Sequence, residues 1–380
     1  MAGQMIYKIA DNITSPLGFT TQENLDAVRQ GRSRLRLHSG KWGLPEPFMA
    51  SLFDEDEIEN RFAETIGPAH ALTRFEQLAL LSATQAIGQC SVDTRSPGCI
   101  FILATTKGNV ALLHENGPDT DDPRLNLAHT AHTIARHFGN ETTPLVVSNA
   151  CTSGLCAEIT AMRLLQSGAY HTAIVIGIDT QSPFIVSGFQ SLKALSIHPC
   201  RPFSENRMGL NLGEAAATII LQRADHPTDV WQLLRGAIRN DAYHLSGPSK
   251  TAIGGRLSLE AACHDFDTDS LAVINAHGTA TLYNDEMEAK AIALSGLTHT
   301  PVNGYKGCFG HTMGAAGVLE TVLTMRSLDE GIILPTQGFD ELGVSQPLQV
   351  VKVPTPTHRR SFIKMMSGFG GSNAALLCQR

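Results

Sequence analysis

The chain lacks the marks of several large functional classes. Its eight cysteines form no CxxC pair and no dense framework, and no HExxH or paired Cys/His cluster accompanies them. A zinc site and a disulfide scaffold are therefore not expected, and reduced thiols in a cytoplasm fit best. There is no glycine-rich P-loop to cradle a nucleoside phosphate. No apolar run is long enough to span a bilayer, and the first residues lack the charged-then-apolar layout of a signal peptide. Dense Lys/Arg blocks are missing too and the net charge is −7, which argues against nucleic acid as a main partner. One small basic cluster, Arg32, Arg34 and Arg36 with Lys41 nearby, reads as a solvated surface segment or as a docking patch.

What remains is an ordinary globular composition, 42% hydrophobic and 17% charged over 380 residues. That length buries a large core or splits into sub-domains. Strand and helix patterns alternate, which predicts α/β layers with helix-covered sheets. Two stretches repeat one plan. An apolar strand over 144–147 feeds a helix ending near 166–168, followed by a β-like run over 172–179. Later, a strand over 300–303 leads through a glycine turn to a helix ending near 330, and a further strand is expected over 358–366. The repeat predicts duplicated halves, 1–228 and 229–380, with a polar seam at 224–228. Residues 116–123, rich in turn formers, are expected to be an exposed loop.

Four runs carry chemistry. Val147-Ser148-Asn149-Ala150-Cys151-Thr152-Ser153-Gly154 puts a thiol at a strand-to-helix junction. Unpaired N–H groups there favour a thiolate and can hold an oxyanion, so a lowered Cys151 pKa is expected. The bland alternative is a buried structural cysteine. Asn275-Ala276-His277-Gly278-Thr279-Ala280-Thr281 brings a histidine to a glycine turn with two hydroxyls beside it. Tyr305-Lys306-Gly307-Cys308-Phe309-Gly310-His311-Thr312-Met313-Gly314 puts a lysine and a histidine on one loop, among small residues that suggest close packing. Lys306 is either exposed or paired, with Glu320 on the next helix as the candidate partner. Ser367-Gly368-Phe369-Gly370-Gly371 is a turn whose backbone can approach a substrate closely, with Phe369 as a gate or as core packing.

Together these runs resemble the β-ketoacyl synthase family of the Cys-His-His type. Cys200-Arg201-Pro202-Phe203-Ser204-Glu205-Asn206-Arg207 with Gly213-Glu214-Ala215 extends the resemblance across nearly the whole chain. The resemblance implies a thiolase fold, five layers α-β-α-β-α built from two similar halves. It also implies a decarboxylating Claisen condensation through a Cys151 acyl-enzyme. His277 and His311 would assist decarboxylation and stabilise the enolate, and Lys306 with Glu320 would shape the electrostatics. Backbone N–H groups of Cys151 and Phe369 would form the oxyanion hole, and Thr279 and Thr281 would contact phosphopantetheine. The partner it implies is an acyl carrier protein, docking near Arg74, Arg201 and Arg207, on a homodimer or a heterodimer with a related chain. No metal or resident cofactor is implied beyond substrates borne on phosphopantetheine of the carrier or of coenzyme A.

Some positions depart from the common pattern. Met208 follows Arg207 where aspartate is usual, Leu282-Tyr283 replaces a proline after Thr281, and Asn149 stands where a threonine is more usual. These leave the acyl length, the carrier and the pathway open. Two relatives of the fold are the rivals. A chain-length-factor subunit commonly lacks the cysteine, which is retained here. A thiolase carries a second reactive cysteine in a Cys-x-Gly turn, whereas residues 368–371 contain none and Cys378 lies too late. A cysteine hydrolase has no feature here that singles out water as acceptor.

Overall fold

A computed structural model describes residues 5–69, 71–115, 121–224 and 229–380. Two sheets of matching topology form its frame. The first contains β1 (Met5–Thr14), β2 (Cys99–Ala104), β3 (Leu145–Val147), β4 (Thr172–Asp179) and β5 (Ala215–Ala224), in the order β1-β5-β4-β2-β3. The second contains β6 (Gln232–Asn240), β7 (Val273–Asn275), β8 (Pro301–Asn303), β9 (Gln349–Val350), β10 (Ser361–Gly368) and β11 (Ser372–Gln379), in the order β6-β11-β10-β7-β8-β9. In each, the first strand runs antiparallel to the last, the last antiparallel to the one before it, and the remaining neighbours are parallel. The repeat legible in the sequence is thus a repeat of strand order. The two join edge to edge into one eleven-stranded sheet, where Tyr7 pairs with Gln232 and the Lys8 N–H donates to the Trp231 carbonyl at 2.8 Å.

Helices α1 (Arg74–Ile87), α2 (Ser153–Gln166), α3 (Pro183–Ser191), α4 (Ile253–Ala262), α5 (Leu282–Leu294) and α6 (Ala316–Asp329) complete the layers. Helices α2 and α6 share one core with residues of both sheets and form the central layer. Both are buried nearly all round, which is why neither shows a strong polar face. Helix α1, opened by a capping box between Thr73 and Glu76, covers the first sheet from outside. Helices α4 and α5 cover the second. The result is the expected α-β-α-β-α stack.

The central helices meet through glycines. A Cβ on Gly154 would come within 2.6 Å of the Gly314 carbonyl oxygen, and one on Gly317 would collide with the Leu155 backbone. The small residues around His311 therefore permit a close approach of two backbones.

Strand β4 occupies the expected residues, whereas β10 starts at Ser361 rather than 358. Of the expected seam, residues 225–228 lie outside the described residues, as do 116–120 of the expected loop. No described helix is long and apolar enough to cross a membrane.

Candidate active site

Three strand-to-helix junctions and one hairpin turn converge where the halves meet. Cys151 sits between β3 and α2, on a turn closed by the Thr152 N–H donating to the Asn149 carbonyl at 3.1 Å. His277 follows β7, and His311 follows the short helix Lys306–Phe309. Phe369 lies in the turn between β10 and β11. The Cys151 sulfur and one nitrogen of each histidine all lie within 4.8 Å of one another. The imidazole rings meet edge to face, with centroids 5.0 Å apart. Three non-glycine residues with left-handed φ stand beside these groups: Ala150 (46°), Ala280 (62°) and Met313 (55°). Such conformations persist only where the surroundings enforce them, and they mark a preorganised site.

Burial sets the electrostatics. It pushes the Cys151 thiol up to about 11, while Lys306, Lys107 and the Phe369 N–H that bonds the sulfur pull it back only partly. The expectation of a lowered thiol pKa is corrected here: the junction is too dry for a helix terminus to prevail. The same burial, reinforced by Lys306 and Lys364, holds both histidines well below 6.5, so both are neutral imidazoles. His311 Nδ1 accepts from the Met313 N–H at 3.2 Å, which assigns the ring proton to Nε2, and that atom has no protein partner. A free N–H of this kind can donate to a substrate oxygen.

Behind the histidines, Lys306 is 1% exposed and donates to the His277 carbonyl at 2.6 Å and to Glu320 at 2.8 Å. The paired alternative for this lysine is the one the fold adopts. The loop bearing His277 is fixed from below by α5. Glu288 accepts the His277 and Gly278 N–H groups, both at 2.7 Å, and Asp285 accepts those of Phe203 (2.8 Å) and Ala280 (3.2 Å). From the first half, Asp179 at the end of β4 accepts the Gly314 N–H at 2.7 Å and the Thr105 hydroxyl at 2.7 Å. The sequence reading missed Asp179, Asp285 and Glu288. Asn284, Asp285 and Glu288 at helical spacing were the available signal.

Two cavities adjoin Cys151. One, of about 470 Å³, holds His277, His311, Thr279 and Thr281 and opens past Met208, Leu282 and Tyr283. The Thr279 and Thr281 hydroxyls bond each other at 2.9 Å on its wall. The other, of about 540 Å³, is bounded by Phe184, Ile185, Phe189 and Met313, with Lys107 beside them. Phe369, half-buried and stacked on Phe189 with centroids 5.7 Å apart, stands between the two.

The arginines expected to dock a carrier are not brought together. Arg207 is buried, its guanidinium bonded to the Ser204 and Gly343 carbonyls at 2.9 and 2.5 Å, and it cannot face a partner. Arg74 grips the buried Glu214 through two bonds of 2.7 and 3.1 Å, away from the mouth of the cavity. Arg201 stays on the surface, paired with Asp340 at 3.1 Å. The mouth itself carries exposed apolar side chains, Met208, Leu282 and Tyr283. The departures noted in the sequence at these three positions thus cluster at one rim.

Comparison with known proteins matches residues 12–226 to the β-ketoacyl synthase N-terminal domain and residues 232–340 to its C-terminal domain. The chain belongs to the β-ketoacyl synthase family. Its relatives in the family include the 3-oxoacyl-[acyl-carrier-protein] synthase 2 of Vibrio harveyi, 31% identical over 412 residues and covering 96% of each chain. They also include a putative polyketide beta-ketoacyl synthase 1 of Streptomyces cyaneus, 28% identical over 86% of this chain and 89% of that one. Among solved structures, a ketosynthase of Xenorhabdus doucetiae in complex with its chain length factor superposes with a TM-score of 0.84. It is 25% identical and covers 99% of this chain and 98% of that one. Family membership and fold agree with the resemblance read from the four motifs.

Proposed function

We propose that this family member is an active condensing enzyme that elongates a carrier-bound acyl group with a malonyl thioester. The convergence of Cys151, His277 and His311 on one point, with Lys306 and Glu320 buried behind them, carries this reading. Cys151 takes the acyl group by attack of sulfur on the thioester carbonyl, expelling the carrier thiol. The Phe369 N–H, already directed at the sulfur, lies beside the carbonyl oxygen of that step. Malonyl thioester then loses carbon dioxide, and the bond's electron pair passes to the enolate oxygen beside the His277 and His311 imidazoles. The enolate carbon attacks the acyl carbonyl, the carbon–sulfur bond breaks, and the Cys151 sulfur takes back a proton.

Neutral imidazoles suit this work because they donate hydrogen bonds without repelling the forming anion. Thr279 and Thr281 face the arm that delivers both substrates, and the apolar cavity beyond Phe369 takes the acyl chain. No resident cofactor enters the scheme. The partner is an acyl carrier protein, and the assembly is a dimer with a second copy or with a related chain. The retained cysteine and both histidines argue against the chain-length-factor alternative.

The test is intact-protein mass spectrometry with a panel of acyl-carrier thioesters, comparing wild type with Cys151→Ala, with and without malonyl-carrier. We expect an adduct in wild type alone, and malonyl-dependent release of a product two carbons longer. No adduct across the panel would turn the reading toward an accessory subunit.

A further inference from the structure

The Lys306–Glu320 pair has a third member. Lys364, from β10, is wholly buried and forms an ion pair with the other oxygen of Glu320. Its ammonium also donates to the Ala276 carbonyl at 3.0 Å and the Asn275 carbonyl at 3.4 Å. Two buried ammonium groups thus share one carboxylate, and between them they hold three consecutive carbonyls, those of residues 275, 276 and 277. With all three groups ionised, the cluster bears one surplus positive charge directly behind His277. A single lysine with Glu320 would be neutral.

That surplus is costly in a dry interior, and stability alone does not call for it. Glu320 is already satisfied by Lys306, and an apolar side chain would fill the strand position without a charge. Burial holds back the charge of the acids nearest Lys364: it raises Glu158 well above its ordinary range and Glu288 to about 7, so the surplus is fullest below about pH 7. Asp285, itself raised to about 6 by burial, bears on Glu288, and Lys306 and the neutral His277 and His311 also lie near.

We propose that Lys364 is a positioning residue of the condensing site, which supplies the surplus positive charge that stabilises the enolate through the His277 loop without touching substrate. The inference rests on the condensing reading above. Burial lowers Lys364 to about 8, against the pull of Glu320, so the charge is present below that pH and lost above it. No other buried lysine or arginine among the described residues lies in this cluster beyond Lys306 and Lys364.

The deciding experiment follows malonyl-thioester decarboxylation by the full chain from pH 6 to pH 9.5, with circular dichroism at each pH, in wild type and Lys364→Met. Acylation of Cys151 is read in parallel. In wild type the rate is expected to fall as pH passes about 8 while the fold persists. Lys364→Met is expected to lose that fall and to run about tenfold slower below it, a fraction of what loss of a direct oxyanion donor costs. Acylation of Cys151 should change little. A folded wild type that decarboxylates with no alkaline fall overturns the role of Lys364 without recourse to the variant, and so does a Lys364→Met enzyme with wild-type rate and profile. A wild type that neither decarboxylates nor acylates overturns the condensing reading itself, and the Lys364 proposal with it.

Discussion

Cys151 shows how far burial can oppose reactivity at a single residue. With its thiol raised to about 11, the sulfur is protonated at neutral pH, and in the proposed reaction it must lose its proton as the thioester arrives. Alkylation of Cys151 by iodoacetamide is therefore expected to rise about tenfold per pH unit between pH 7 and pH 9, following the thiolate fraction. Quantifying the modified peptide checks this, and a rate already level at pH 7 would mean a preformed thiolate. The arginines divide in the same way, by burial. Arg207→Ala leaves buried carbonyls and Asp285 without their cation and should cost about 3 kcal/mol of stability, read from the denaturant midpoint. Arg201→Glu, on the surface, should leave that midpoint unchanged. Cys151, His277, His311 and Lys306 stood out in the sequence because their runs together resemble one family, whereas each run alone had a bland alternative. Asp179, Asp285, Glu288 and Lys364 did not stand out. A buried acid or lysine saturated by backbone groups has the same letters around it as an exposed one, and only the fold reveals what it holds.

Among the elements, the central helices depend on what α2 and α6 lack at their first turns. Gly317 packs directly on Leu155, one turn from Cys151, and Gly314 reaches across to Asp179 on β4. Gly317→Ala is expected to push the helices apart and to destabilise the protein by about 2 kcal/mol, as overpacking of a filled core does. The same displacement should change the alkylation rate of Cys151, whereas Gly188→Ala, inside α3 with open space around it, should not destabilise the protein. A thermal melt and the alkylation assay on both variants distinguish local crowding from a general intolerance of added methyls. Element type was well marked in the sequence here. The all-buried β4 reads as an unbroken apolar run, and α2 shows Leu155, Ile159 and Met162 at helical spacing. The start of β10 was misplaced because His358, Arg359 and Arg360 continue the chain toward the strand without joining its ladder, which begins at Ser361 paired with Gln379.

At the scale of the whole molecule, the first half ends in an edge that invites company. Strand β3 is three residues long, pairs with β2 on one side, and has no strand on the other among the described residues. Close by in the fold, Phe184 and Leu192 are about half exposed although they line the cavity beside Cys151. An apolar chamber open to water at its wall holds an acyl chain poorly, since the chain would leave part of its surface hydrated. A second subunit laid on this face would close the chamber and cover the edge together. Sedimentation of the purified chain is therefore expected to give twice 40.8 kDa. Phe184→Asp should weaken that association at least tenfold, given the desolvation of a carboxylate at an apolar contact, and should lower activity toward long acyl donors more than toward short ones. A monomer that nonetheless elongates long chains at full rate would show that one chain closes its own chamber. A monomer that is inert until a related chain is added would instead make the closing subunit a different protein.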